Sequence, residues 1–424
     1  METKRDGSGR KHPQIFCKTC GKKTTINHKQ KADEELLQDH LNRNSYRILE
    51  ATTGIAKKTV CTRVNALCSE LIDSNDLTDL LGLQNVSGIM LLDGKYGPVK
   101  ELEKRLEMME TGLIPRSAKR RGKTKTGLVI LPLMDYFTHD ILIYEIALSE
   151  NSYDIEKVFR RFKATGHDLW GIVCDESMGL IAEVARKVFP NVVIQYCLTH
   201  YSKCIDRCFQ AKGAKRSYKA LERKFKNLED SFFITTRRHD RIEALRLTDE
   251  MAKLEFEYGY LWKIQDLFNE LFCGIQTKEE VDLWEDKFNE AVNAIPKNYP
   301  YLDRIQERYK DYYDKRECLI ASILHPELKL PRTTNLIEGF NSTTLEIRLT
   351  SIRGFEKEKY ARAYINALIL NYRFHKFTDC KKQFKNLNGK SPIQISKPLH
   401  KFGFDFDHKN WISFCKKMKK FPKK

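Results

Sequence analysis

The apolar residues of this chain change period twice, and those two changes fix its plan. Between about 86 and 196 they fall in short strand-type runs, at 88–92, 128–134, 141–147, 169–174 and 192–196. On both sides they recur at helical spacing. Helical patterns at 153–163 and 179–188 alternate with the later strands, and the polar Thr138-His139-Asp140 between two runs is a hairpin signal. The spacing predicts an α/β unit with a mixed sheet flanked by helices. From 210 to 330 strand character disappears. Long Lys/Glu-rich stretches carry Leu254, Tyr258, Leu261 and Trp262 at helical intervals, which predicts an all-helical insertion closed by Pro326 and Pro331.

At 424 residues the chain is long enough for two or three cores. Apolar residues at 41% and aromatics at 11% exclude a disordered chain. The longest apolar runs, at 128–134 and 141–148, are too short to cross a bilayer, so no membrane partner is expected. The Lys/Arg-rich start has no apolar signal core, and the twelve cysteines are scattered. Both features read as a soluble protein of a reducing, cytoplasmic compartment. Lys and Arg number 75 against 57 Asp and Glu, a net +18, which calls for a polyanionic partner, nucleic acid first. The charge is clustered: nine basic residues in 1–31, Arg116, Lys119, Arg120, Arg121, Lys123 and Lys125 without an acid between them, and seven lysines from 409 to 424. Such clusters suit phosphate contacts, although any one of them reads equally well as a solvated loop or tail.

From about 32 to 80 the pattern is helical. Leu36, Leu37 and Leu41 mark a first helix. Ser45 caps a second over 46–53 with Ile48 and Leu49 inward, and Gly54 breaks it. A third runs from 57 to about 71 with Val60, Val64, Leu67 and Leu71 as its stripe. This fits a helix-turn-helix with Lys57, Lys58, Thr59, Thr62 and Arg63 turned toward DNA. An ordinary helical hairpin is the bland alternative.

Three carboxylates stand out by position. Asp93 ends the first strand, Asp175 ends the fourth, and Glu338 lies in the helix after the insertion, sharing a face with Asn335, Asn341 and Ser342. Leu336, Phe340 and Ile347 define that helix's core face. Hard oxygen ligands of this kind suit Mg²⁺, and an ion pair can polarise both oxygens of an in-line phosphoryl displacement. Singly, each acid has a plainer role: an Asp-Gly turn, a helix cap, a solvated helix position.

Together they carry a resemblance. Leu91-Leu92-Asp93-Gly94 is followed by Cys174-Asp175-Glu176-Ser177-Met178-Gly179-Leu180, Gln195-Tyr196-Cys197-Leu198-Thr199-His200 and Thr333-Thr334-Asn335-Leu336-Ile337-Glu338-Gly339-Phe340-Asn341-Ser342. With Ile352-Arg353-Gly354-Phe355 and Asn388-Gly389-Lys390-Ser391-Pro392, these stretches resemble the Mutator-like DDE transposases over about 86–392. The resemblance implies an RNase H-like core interrupted by the helical insertion, with the N-terminal helix-turn-helix. It implies Asp93, Asp175 and Glu338 as catalytic residues holding two Mg²⁺ or Mn²⁺ ions. It implies nicking at transposon ends, attack of the freed 3′-hydroxyl on target DNA, and a dimer or larger synaptic assembly. Cys197 and His200 fit the family's Cys-x-x-His and, with Asn335 and Asn341, are expected to support the site.

On this plan 1–31 is a basic segment, 32–80 the helix-turn-helix, 86–209 and 331–395 the two parts of the core, 210–330 the insertion and 396–424 a basic tail. Cys197, His200, Cys204 and Cys208 also lie on one helical stripe, a spacing compatible with a soft metal. Small buried side chains are the plainer reading for the last two. Trp262 and Trp284 invite base stacking, though core burial is the better expectation. Around Cys17 and Cys20 the sequence resembles the second knuckle of a zinc ribbon, and His12 and His28 are the only partners nearby to make up four ligands. A transposase-derived DNA-binding protein without catalysis is the alternative function, and a regulator with a small-molecule pocket a third. The basic tail suits a nucleoid or a nucleus.

Overall fold

The structure, a computed structural model, describes residues 14–16, 23–25, 33–42, 44–82, 84–98, 127–176, 180–232, 238–351, 355, 357–397 and 410–420. At 14–16 and 23–25 it describes the backbone alone: β1 (Gln14–Phe16) and β2 (Lys23–Thr25) pair antiparallel. His12, Cys17, Cys20, His28 and the basic run with Arg116, Lys119, Arg120, Arg121 and Lys123 lie outside the described residues.

Six further strands form one mixed sheet: β3 (Ile89–Leu92), β4 (Lys95–Pro98), β5 (Gly127–Asp135), β6 (Ile141–Ala147), β7 (Gly171–Cys174) and β8 (Val193–Tyr196). β6 pairs with one edge of β5. On the other edge, β3 and β4 pair with β5 in a single register, Leu92 facing Leu133 and Lys95 facing Ile130. They are therefore one strand interrupted at Asp93-Gly94, and the interruption falls opposite Pro132, which has no amide hydrogen for a ladder. β7 runs parallel to β3, and β8 parallel to β7.

Strands β3, β5 and β7 alternate between two cores, whereas in β6 the adjacent Leu142 and Ile143 share one. Met90, Leu92, Val129, Leu131, Leu133, Ile172 and Cys174 face one, packed under helices Ser152–Ala164, Leu180–Val188 and Leu198–Phe209. Leu91, Leu128, Ile130, Met134 and Val173 face the other, under helices Ser74–Leu81 and Glu358–Phe374.

The insertion is helical as expected: Lys212–Phe232, Arg238–Cys273, Lys278–Asn293 and Leu302–Leu319. It shares the first core rather than standing apart. Tyr201 meets Phe268 edge-on at 6.0 Å, and Phe268 lies 5.8 Å from Trp284, which stacks on Phe288 at 4.9 Å. Trp262 and Trp284 are buried, their ring N–H groups donating to the carbonyls of Ala211 (3.3 Å) and Leu267 (2.7 Å). Neither is available to a base.

Helices Asp33–Leu41, Tyr46–Thr53 and Lys57–Glu70 form the N-terminal unit. Ser45 caps the second, accepting from the Ile48 amide at 3.3 Å, and Gly54 ends it in the left-handed conformation (φ 70°). Leu49 is buried, whereas Ile48, expected inward, is 48% exposed. The helix has only eight residues and one buried position, so a single side chain anchors it. This unit joins the second core through Leu37, Val60, Val64 and Leu67.

The C-terminal tail corrects the sequence reading. Its stretch Trp411–Met418 is a helix with Trp411, Ile412, Phe414, Cys415 and Met418 buried in that same core. The aromatics among its lysines are anchors, and the lysines serve partly at home: Lys416 pairs with Glu70 (3.0 Å) and Lys419 donates to the Ser69 carbonyl. Among the described residues no helix is long and apolar enough to cross a membrane.

A buried polar hub ties both ends of the chain to the sheet. Arg373, 1% exposed, binds Asp140 at 2.8 and 2.9 Å and also reaches the Ser74 carbonyl and the Thr78 hydroxyl. Ser396 donates to the same Asp140 carboxylate.

Candidate active site

Asp93 and Asp175 follow the ends of neighbouring parallel strands. Because Leu91 pairs with Val173, the two acids stand at the same level, each two residues further on. Leu91 and Val173 face the second core, and side chains two residues apart share a face. Glu338 enters that face from helix Asn335–Phe340, whose Ile337 and Phe340 belong to the same core. The Glu150 carboxylate packs against Gly94 at the strand break, where a Cβ would displace it.

Asn341 bridges the helix and the strand. Its side-chain amide donates to Asp93 Oδ2 at 2.8 Å. Burial raises the Asp93 pKa, the Asn341 bond and the charge on His200 pull it down, and the negative charges of Glu338 and Asp175 push it up again. The Asp93 carboxyl thus senses both other acids.

The backbone explains how Glu338 and Asn341 reach one point. The helix that carries Glu338 is α-helical only to Phe340; Asn341–Glu346 is a π-helical segment, and Ile347–Ser351 resumes the α form. Such wide turns are frequent at functional sites. The extra residue per turn shifts the phase, so Leu345, Arg348 and Leu349 turn inward and Ile347, expected in the core, is 42% exposed. Ser342 is exposed with its hydroxyl on the Gly339 carbonyl, and Asn335 is exposed at the start of the helix. Of the four residues expected on one face, Asn341 meets Asp93 and Glu338 meets Thr334, whereas Asn335 and Ser342 are exposed.

Behind Glu338 lies a compact cluster. Thr334, fully buried, donates its hydroxyl to Glu338 Oε1 at 2.7 Å and stands 3.1 Å from Cys197 Sγ; its backbone N–H also points at that sulfur (3.3 Å). His200 Nε2 lies 3.8 Å from Glu338 Oε1. The Cys197 sulfur beside it raises the His200 pKa to about 9, against burial, with help from Asp175 and Glu338. Burial pushes the Cys197 thiol up, but hydrogen bonds from His200 and Thr334 more than offset this and leave it below the ordinary thiol value. Among the described residues, Cys197, His200 and Glu338 form the one group of three metal-ligating side chains whose donor atoms lie within 4.8 Å of one another. The Asp93, Asp175 and Glu338 set expected from sequence does not meet that spacing. Cys204 and Cys208 are half-buried further along the helix and outside the group.

Two features had no clear sequence signal. Thr334 is one of many threonines until Cys197 folds beside it. Glu176, next to Asp175, is buried and bound at 2.8 Å by Lys315 from the insertion, which also holds Asp311.

The expected DNA-facing residues divide. Lys57, Lys58, Thr59 and Thr62 are exposed on helix Lys57–Glu70. Arg63 is half-buried, its guanidinium paired with the exposed Asp33.

Residues 133–232 match the family model described as Transposase, Mutator family. No curated protein matches the chain. Among solved structures, a chain of the Drosophila P element transposase strand transfer complex is similar at 11% identity, covering 92% of this chain and 95% of that one. Its TM-score of 0.27 is too low to establish a shared fold.

Proposed function

We propose, from a chain whose residues 133–232 carry a Mutator-family transposase segment, that this protein is a DNA transposase with an RNase H-like DDE core. Asp93, Asp175 and Glu338 are its catalytic carboxylates in this reading, and the N-terminal helices are its helix-turn-helix. The observation that carries it is the in-register placement of Asp93 and Asp175 at adjacent parallel strand ends, on the sheet face that Glu338 approaches.

The donor chemistry fits a divalent cation. Asp93 is half-buried beside two further acids, and Asn341 orients one of its oxygens. These three carboxylates would hold Mg²⁺ or Mn²⁺, which when bound would polarise the scissile phosphate and lower the pKa of the attacking hydroxyl. The chain's own residues do the remainder. Asn341 fixes Asp93. Thr334 fixes Glu338 through its hydroxyl. His200, its pKa raised by the Cys197 sulfur, lies beside Glu338. Lys57, Lys58, Thr59 and Thr62 are placed for the phosphates and base edges of terminal-repeat DNA. The net charge of +18 supports a DNA partner for both transposon ends and target.

The test is nicking and strand transfer on a duplex carrying the inverted repeats that flank the gene, with Mg²⁺ supplied. Asp175→Asn is expected to abolish both reactions, by at least about a thousandfold, while leaving DNA binding intact. Cleavage at the wild-type rate by that variant would overturn the catalytic assignment. Binding without cleavage by the wild-type chain would instead favour a non-catalytic DNA-binding protein.

A further inference from the structure

We infer that Cys197, His200 and Glu338 make a binding site for one thiophilic divalent cation of the zinc class. The site borders the three-carboxylate set and shares Glu338 with it. Its existence stands on geometry alone; only its consequence for catalysis rests on the functional reading above.

Three different positions supply the donors. Cys197 is the N-cap of helix Leu198–Phe209, His200 lies in that helix's first turn, and Glu338 comes from helix Asn335–Phe340. Their donor atoms lie within 4.8 Å of one another, and His200 Nε2 stands 3.8 Å from Glu338 Oε1. A tetrahedral cation with bonds of about 2.0–2.3 Å spaces its ligands by roughly 3.3–3.8 Å. The observed spacing exceeds that range by about 1 Å at most. Sulfur, imidazole and carboxylate on one centre is a zinc-type donor set with the fourth position open. Mg²⁺, which demands oxygen ligands, gains nothing from the sulfur.

The surroundings hold the ligands in place. The Thr334 backbone N–H points at the Cys197 sulfur, which favours the thiolate that a cation requires. The Thr334 hydroxyl lies against both that sulfur and Glu338 Oε1, so one fully buried residue braces two of the three ligands. The main chain adds a further tie: the Leu198 amide donates to the Arg332 carbonyl at 2.9 Å, fixing the two helix starts to each other. Cys204 and Cys208 make their own contacts, with Arg207 and the Arg304 carbonyl, and take no part. Because Glu338 belongs to both sets, a thiophilic cation withdraws it from the hard-ion set and opposes the reaction proposed above.

The experiment is a Co²⁺ titration of the full chain carrying Cys17→Ser and Cys20→Ser, followed by absorption, so that the N-terminal cysteines contribute nothing. The expected result is one Co²⁺ per chain with a thiolate-to-cobalt charge-transfer band and tetrahedral visible bands, all displaced by Zn²⁺. Cys197→Ser removes the charge-transfer band. His200→Asn, at a partly exposed position, weakens binding at least about tenfold with an unchanged circular dichroism spectrum. Asp93→Asn keeps the band, which separates this site from the carboxylate set and from the fate of the nicking assay. Absence of a thiolate band in the Co²⁺-loaded protein would overturn the proposal. So would undiminished affinity in His200→Asn, a result that decides the matter even if Cys197→Ser fails to fold.

Discussion

Thr334 has one hydroxyl proton and two neighbours, Glu338 at 2.7 Å and Cys197 at 3.1 Å. The carboxylate is the stronger acceptor, so the hydroxyl donates to it and the sulfur lies behind. Removing that donor frees Glu338 to rotate while leaving its charge in place. Thr334→Ala is therefore expected to slow nicking by about ten- to a hundredfold, the range of a hydrogen bond to a charged group, and Thr334→Ser to restore most of the rate. The check is the Mg²⁺ dependence of nicking, in which Thr334→Ala requires more Mg²⁺ for half-maximal rate. Unchanged Mg²⁺ dependence would refute this role. Sequence carried Asp93, Asp175 and Glu338 because acids at strand ends and in a motif helix are conspicuous. Thr334 was not legible, because a buried hydroxyl acquires its role only from what folds against it.

Among the elements, two buried histidines set the response to acid. His40 donates from Nδ1 to the Asn44 carbonyl at 2.8 Å and stacks on Tyr46 at 4.2 Å, while its Nε2 is buried without a hydrogen-bond partner among the described residues. Burial lowers its pKa to about 4, and burial does the same to His139. Both values fall below the unfolded value of about 6.5, so folding favours the neutral rings. Their contribution is complete above about pH 6.5 and is lost as pH falls toward 4, on the order of 3 kcal/mol for each ring. Urea midpoints at pH 7 and 4.5 measure this, and His40→Phe with His139→Phe should flatten the difference. The Arg373–Asp140 hub is a second element-scale test. Arg373→Met strands a buried carboxylate and is expected to cost about 3–5 kcal/mol, most of it recovered when Asp140 is also made apolar.

Element positions were largely legible because the period changes are strong: the strand runs, the helices at 152–164 and 180–188, and the Ser45 and Gly54 caps all follow local rules. The π-helical segment at Asn341–Glu346 was not, since its sequence satisfies an ordinary helix equally well. Ile347 was misassigned to the core for that reason alone.

In the whole molecule, the units expected from sequence share their cores. Helical insertion and sheet form one, and N-terminal helices, sheet and C-terminal helix form the other. A tail dense in lysine carries no local sign that a distant groove awaits its aromatics, so its packing could not be read from composition. Trp411 is 2% exposed, stacks on Phe374 at 5.8 Å and donates from its ring N–H to Gln38 at 2.7 Å. Trp411→Ala is expected to cost about 3–5 kcal/mol and to lower the thermal midpoint. A variant with unchanged stability would show that the helix is dispensable to the fold.

That docking has a temporal meaning. Gln38 emerges from the ribosome long before Trp411, so the N-terminal helices lack this buried contact until the chain has been made as far as Trp411–Met418. Nascent chains stalled at earlier lengths should therefore be cleaved by protease within the N-terminal helices, and release of the full stretch through Met418 should protect them.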